Sequence, residues 1–226
     1  MSREIKKVGV IGAGTMGSGI AGQLANAGVE VVLLDKFEGK AEAEIERMQK
    51  AKPTDPFNAG LMVPSNAKFI TPGTTDDNLE LLGEWDWIIE TILAPHPIRQ
   101  QIYKDVEKIA KPDAIFSSNT STMQIDYMTD GQSDDFKSRF LNTHFFNPVR
   151  YMHLLEVITS DETQADIVGA ISEFGSKTLG KKVVHCKDER GFIANRIGMY
   201  AMERARVEAV SQDMKIEDVD AIMGQA

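Results

Sequence analysis

An α/β fold on a doubly wound, mostly parallel sheet is what this sequence predicts, and three observations carry that expectation. Short apolar segments alternate with longer helix-forming ones, the pattern of a parallel sheet with helices on both faces. The apolar segments are near-continuous, as in VEVVLLD (29–35), which suits strands buried on both sides. A glycine-rich turn, GAGTMG (12–17), joins the first strand to the first helix.

Each element follows in order. KKVGVIGAG predicts a buried strand ending in glycines. TMGSGIAGQLANAG predicts a helix with Ile20 and Leu24 on one face and Gly28 as its stop. After the strand 29–35, residues 38–52 form a charged surface helix, and the turn-rich stretch 53–67 a loop or insertion. KFITPG and DWIIET are further strands, 97–111 a helix, and AIFSSNTS a strand running into a loop. FLNTHFF and LLEVIT supply two more strands, a helix spans Asp161 to about Thr178, and KKVVHCK adds a last strand. Residues 191–212 predict a helix whose first half carries Phe192, Ile193, Ile197, Met199, Tyr200 and Met202 on most sides. A helix apolar all round is a buried one, yet little sequence follows to cover it. The expected organisation is therefore one domain over 1–190 and the start of a truncated all-α domain over 191–226, with a small C-terminal helical pair as the alternative.

Composition narrows the function classes. The 226 residues are 42% hydrophobic and 26% charged, ordinary for a globular protein able to bury one large core. The first residues run straight into a strand without a signal-peptide segment, and no apolar run approaches a membrane span. A single cysteine, Cys186, suits a reducing compartment, so a cytoplasmic location is expected. The net charge of −9 argues against a nucleic-acid partner but leaves room for an anionic small ligand.

The glycine turn has a chemical reading. Gly12 permits the tight turn, Gly14 lets the backbone approach a pyrophosphate, and Gly17 lets the helix pack close to the sheet. The helix that opens at Thr15 and Met16 offers free N–H groups and the positive end of its dipole. Asp35 closes the next strand, where it would accept hydrogen bonds from ribose hydroxyls and repel a 2′-phosphate, favouring NAD over NADP. Lys36 weakens that discrimination slightly. Gly12, Ala13, Gly14, Thr15, Met16, Gly17 and Asp35 together predict a Rossmann-type dinucleotide site. A ligand-free glycine-rich turn is the competing reading.

SSNTST (117–122), HFFNPVRYMHLLEV (144–157) and GFIANR (191–196) fall at strand ends or loops, where open α/β sheets bind ligands. Alcohol oxidation needs a base for the hydroxyl proton and donors to hold the oxygen. His144 suits the base, with Glu156 on its other nitrogen if the strands around Pro148 lie side by side. Ser121 and Asn195 would hold the oxygen. By spacing alone, His144 is equally compatible with a core histidine, Glu156 with an edge charge, Ser121 with a helix cap and Asn195 with a polar helix position. No His/Cys/carboxylate spacing suggests a metal site, and no G-x-S-x-G elbow suggests a hydrolase.

VGVIGAGTMGSGIA, SSNTST, THFFNPVRYMHLLEVI and KDERGFIANRI, in this order, resemble the 3-hydroxyacyl-CoA dehydrogenases of fatty-acid β-oxidation, from about residue 5 onward. The resemblance implies an NAD-binding Rossmann-type domain followed by a helical domain that dimerises and closes over the site. It implies a 3-hydroxyacyl-CoA substrate, with His144 as base, Glu156 as its partner and Ser121 and Asn195 on the substrate oxygen. On the cofactor side it implies Glu90, Arg99 and Asn147 beside the glycine loop. The variant with RYM-x-LLE and GFIANRIGMYAM looks most like the dehydrogenase part of larger proteins joined to an enoyl-CoA hydratase. One departure stands out. The family commonly reads E-A-x-x-E-N-x-x-x-K after the fourth strand, whereas ETILAPHPIRQQ puts Ala94 at the second acid and Arg99 at the lysine. Weakened NAD affinity is the expected consequence. A hydroxy-acid dehydrogenase would place a catalytic lysine in a comparable motif, and none is present.

Overall fold

The computed structural model describes residues 3–52 and 60–224. Part of the turn-rich stretch, residues 53–59, lies outside them. The described strands are β1 (Lys7–Ile11), β2 (Glu30–Asp35), β3 (Ile70–Thr74), β4 (Trp87–Glu90), β5 (Ile115–Ser118), β6 (Phe140–Phe145), β7 (Leu154–Ile158) and β8 (Lys182–Cys186). They form one eight-stranded sheet in the order β3-β2-β1-β4-β5-β6-β7-β8. The order reverses between β1 and β4, which opens the crevice where such sheets bind ligands. All pairings are parallel except β6 with β7, so β7 and β8 run against the other six strands.

The helices are α1 (Thr15–Asn26), α2 (Lys40–Lys50), α3 (His96–Ile109), α4 (Ile125–Met128), α5 (Asp134–Ser138), α6 (Ala165–Lys177), α7 (Ala194–Ser211) and α8 (Ile216–Met223). Strand alternation sends side chains to two separate cores. Val8, Val10, Val31, Leu33, Trp87 and Ile89 pack against Ile20 and Leu24 of α1 and Ile171 and Phe174 of α6. Ile11, Val32, Leu34, Ile88 and Phe116 pack on the other face against Tyr103 of α3 and Phe136 of α5. Both faces are covered, as the continuous apolar strands predict.

Some boundaries differ from the expected ones. Residues 161–164 form turns before α6, with Thr163 Oγ1 donating to Phe140 O at 2.9 Å. Phe192 stands before α7 in a left-handed conformation (φ 47°) and is buried beside His144, so it is not part of an exposed apolar helix. The rest of that helix behaves differently from a core helix. α7 and α8 contain no buried residue, and Ile197, Met199, Tyr200 and Met202 are each more than three-fifths exposed. Among the described residues, no helix is long and apolar enough to cross a membrane.

One buried cation sits at the sheet's far edge. Lys181 is 6% exposed, and burial pulls its pKa down to about 8 from 10.5. Between those values the unfolded chain holds this proton and the folded chain does not. Folding therefore gains stability from this group as pH rises through that window. Urea midpoints of the wild-type chain and Lys181→Met at about pH 7.5 and about pH 10 should converge or shift in favour of wild type at the higher pH. A difference that stays constant would show the lysine to be as basic as a free one.

Candidate active site

A cleft of about 600 Å³ opens at the carboxyl ends of β1, β4, β5 and β6. Gly14, Thr15, Met16, Ser121, Asn147 and Asn195 line it together with His144. The sequence separates these residues widely, and the parallel strands bring their ends to one rim.

The glycine loop is shaped by contacts that exclude side chains. A Cβ on Gly17 would stand 1.7 Å from Gly12 O and 2.5 Å from Thr91 Oγ1, so α1 starts closer to β1 than any other residue allows. Gly12 has φ +104°, a conformation suited to glycine. Gly14 differs, because a Cβ there would meet nothing within 4 Å. The N-terminus of α1 carries no side-chain cap and no acidic residue in its first turn, leaving its N–H groups available to an anion. Asp35 ends β2 with Oδ2 accepting from Ala13 N at 2.7 Å and Oδ1 from Phe37 N at 3.1 Å. A carboxylate has about four lone-pair sites, so it retains acceptor capacity. An open glycine, an uncapped helix end and an acid tied to the same loop fit a dinucleotide.

The paired strands β6 and β7 bring His144 and Glu156 together. Their antiparallel register sets His144 directly opposite Glu156. His144 Nδ1 and Glu156 Oε2 are 2.7 Å apart, with Glu156 fully buried and His144 5% exposed. The Phe146 and Phe192 rings lie edge-on to the imidazole at 4.5 and 5.4 Å. Glu156 uses its other oxygen on the backbone, where Oε1 accepts from Ile193 N at 3.1 Å and Ala194 N at 2.8 Å. One carboxylate thus orients the imidazole and holds the start of α7, whose next residue is Asn195. Nearby Cys186 is a poor nucleophile, because burial and then the Glu156 charge push its thiol up to about 11.

The remaining residues divide into two groups. Ser121 lies in the loop after β5 and does not cap a helix, since Gln124 holds the N-cap of α4. Asn147 lines the cleft just before a cis bond to Pro148. Glu90 and Arg99 border the same cleft, but both are 3% exposed and their polar atoms are engaged inward. Arg99 Nε lies 2.9 Å from Glu90 Oε2 as an ion pair, off the line of a hydrogen bond. Arg99 Nη2 donates to Ile92 O at 2.9 Å, and Ser118 Oγ and Tyr103 Oη donate to Glu90 Oε2 at 2.8 and 2.9 Å. Burial first, then the Glu90 charge, keeps the Tyr103 phenol well above its ordinary pKa and therefore neutral.

Sequence reasoning passed over several supports. Asn119 Oδ1 accepts from Phe145 N at 2.8 Å, and Asn142 Nδ2 donates to Thr120 O at 2.9 Å. These contacts fix the Ser121 loop against the His144 strand. Thr91 Oγ1 donates to Gly12 O at 2.9 Å. Asn119 sits inside SSNTST, so its place beside Ser121 was the available signal.

Comparison with known proteins gives the family. The family model for the NAD binding domain of 3-hydroxyacyl-CoA dehydrogenase matches residues 7–189. The chain belongs to that family. A probable 3-hydroxyacyl-CoA dehydrogenase of Deinococcus radiodurans is 42% identical over 99% of this chain and 65% of its own length. A putative fatty acid oxidation complex trifunctional enzyme of Rickettsia felis is 41% identical over 98% of the chain and 31% of its own length. The family member thus spans under two-thirds of these relatives. FadB2 of M. tuberculosis superposes with a TM-score of 0.85 at 30% identity, covering 96% of this chain and 75% of that one.

Proposed function

We propose that this chain is the dehydrogenase domain that oxidises the 3-hydroxyl of an acyl-CoA thioester to the 3-ketone with NAD, in fatty-acid β-oxidation. The observation that carries this reading is the buried His144–Glu156 pair opening into the cleft that also holds Ser121, Asn195 and the glycine loop. Gly12 to Gly17 and Asp35 would hold the pyrophosphate and adenosine ribose, and Asn147 would stand near the nicotinamide. When bound, NAD would supply the hydride acceptor. Glu156 accepts a hydrogen bond from Nδ1–H and so leaves Nε2 as the base that receives the hydroxyl proton. Its negative charge then offsets the positive charge on the ring. The Ser121 hydroxyl and the Asn195 amide donate to the substrate oxygen and hold it in line with Nε2.

Residues 1–190 form the cofactor-binding domain in this reading, and 191–226 begin a helical domain. The unburied apolar side chains of α7 and α8 support that division. Fusion to, or association with, an enoyl-CoA hydratase is suggested by the trifunctional relative. A homodimer of the full-length protein and a cytoplasmic setting complete the proposal. The test is formation of reduced cofactor from NAD with 3-hydroxybutyryl-CoA and a longer homologue. Turnover supports the reading. NAD binding without turnover would instead support a cofactor-binding module that needs the helical domain.

Ala94 offers a further check. Restoring the acid with Ala94→Glu is expected to add a ribose hydrogen bond and tighten NAD by about 3–10-fold. Calorimetric titration of both chains measures this, and equal or weaker binding would remove residue 94 from the cofactor site.

A further inference from the structure

We propose that Lys181 is a positioning residue that staples the loop between β6 and β7 and thereby sets Asn147 in the cleft. The inference rests on the dehydrogenase reading for what Asn147 faces, but the staple itself stands on geometry.

Lys181 lies just before β8, with its backbone N donating to Gly175 O at 2.9 Å and so tied to the end of α6. Its side chain runs under the loop. Nζ donates to Val149 O and, at 2.8 Å, to Met152 O. No carboxylate of the described residues pairs with it. An ammonium buried without a counter-charge opposes folding, so its two bonds to carbonyls are the compensation visible at this position.

The stapled loop is short and joins both halves of the site. It begins with the cis Asn147–Pro148 bond, three residues beyond His144. Tyr151 N and Met152 N both donate to Pro148 O at 3.0 Å, folding the loop back on itself. Val149 is buried against α1, where a Cβ on Gly19 would stand 3.0 Å from Val149 Cγ2. Lys182 N donates to His153 O at 2.7 Å, so the strand after the lysine grips the far end of the loop. Removing the ammonium leaves two carbonyls without their donor and frees the segment between His144 and β7. On that segment Asn147 lines the cleft immediately before the stapled turn.

Lys181→Met keeps the length and removes both donors. Amide hydrogen exchange at Tyr151 and Met152 should quicken by about tenfold or more, while exchange in β1 and β2 stays unchanged. Fluorescence of bound NADH, which responds to the nicotinamide's surroundings, supplies a second readout. Lys181→Met and Asn147→Ala should each change it, and the double variant should change it no further than Asn147→Ala alone. Unaltered loop exchange, or a loss of thermal stability with normal loop exchange and normal emission, would overturn the proposal. Additive changes in the double variant would separate Lys181 from Asn147 and also overturn it. If the wild-type chain bound no NADH, the dehydrogenase reading would fail, and the exchange measurement alone would decide the staple. Lys181→Gln, which keeps one donor group, provides the same readouts should the methionine variant not fold.

Discussion

His144→Gln is expected to lower turnover by about 10²–10⁴-fold, the usual contribution of a positioned general base, while leaving NAD affinity within roughly twofold. The separation follows from the architecture. His144 stands on β6 against Glu156 of β7, whereas the glycine loop and Asp35 belong to β1, α1 and β2 on the other side of the switch point. Glutamine keeps a polar group in the cleft but offers no basic nitrogen at neutral pH. The partner's role can be read in the same experiment. In the proposed mechanism Glu156 acts on the proton transfer through His144, so once His144 is gone, replacing Glu156 should cost little further turnover. It should still loosen the start of α7, because Oε1 holds Ile193 N and Ala194 N. Steady-state rates for the single and double variants decide the matter. Comparable turnover in His144→Gln would remove the histidine from the mechanism.

The fold was legible because a doubly wound sheet writes itself into local pattern. Residues 31–34 (VVLL) and 87–89 (WII) are apolar without interruption since helices cover both faces, and the glycine turn falls where the first strand meets its helix. Short elements left no such trace. α4 and α5 span four and five residues, less than the two turns that a helical period needs to show itself. The candidate site could be named residue by residue from the sequence, but its contacts could not. HFFNP and the downstream glutamate marked His144 and Glu156, yet only the antiparallel register of β6 and β7 makes them partners. Glu90 and Arg99 show the same limit. The resemblance set them on the cofactor side and both border the cleft, but no local pattern told that they pair with each other or that Glu90 also accepts from Tyr103 and Ser118. Lys181 was invisible because KKVVHCK resembles any polar-flanked strand. Its burial depends on a loop some thirty residues earlier, about which local pattern carries nothing.

Gly17→Ala is expected to cost roughly 3 kcal/mol or more of stability, at or beyond the upper end for overpacking, and to abolish dinucleotide binding. The added methyl would meet Gly12 O at 1.7 Å, Gly12 C at 2.9 Å and Thr91 Oγ1 at 2.5 Å. Neither neighbour can yield cheaply. Gly12 is held by its N–H to Leu34 O at 2.7 Å, and Thr91 Oγ1 donates to the same Gly12 oxygen that the methyl would strike. Relief requires α1 to move off β1, which carries the uncapped N–H groups of its first turn away from the pyrophosphate position. Gly14→Ala provides the contrast, since its methyl would meet nothing within 4 Å. That variant should unfold at close to the wild-type temperature yet bind NAD more weakly, because the methyl occupies the space through which the backbone approaches the phosphates. Thermal unfolding and calorimetric titration of both variants distinguish helix packing at Gly17 from ligand approach at Gly14. A Gly17→Ala chain that matches wild type in both measurements would mean that the loop does not need its close helix contact, and the dinucleotide reading of GAGTMG would lose its structural basis.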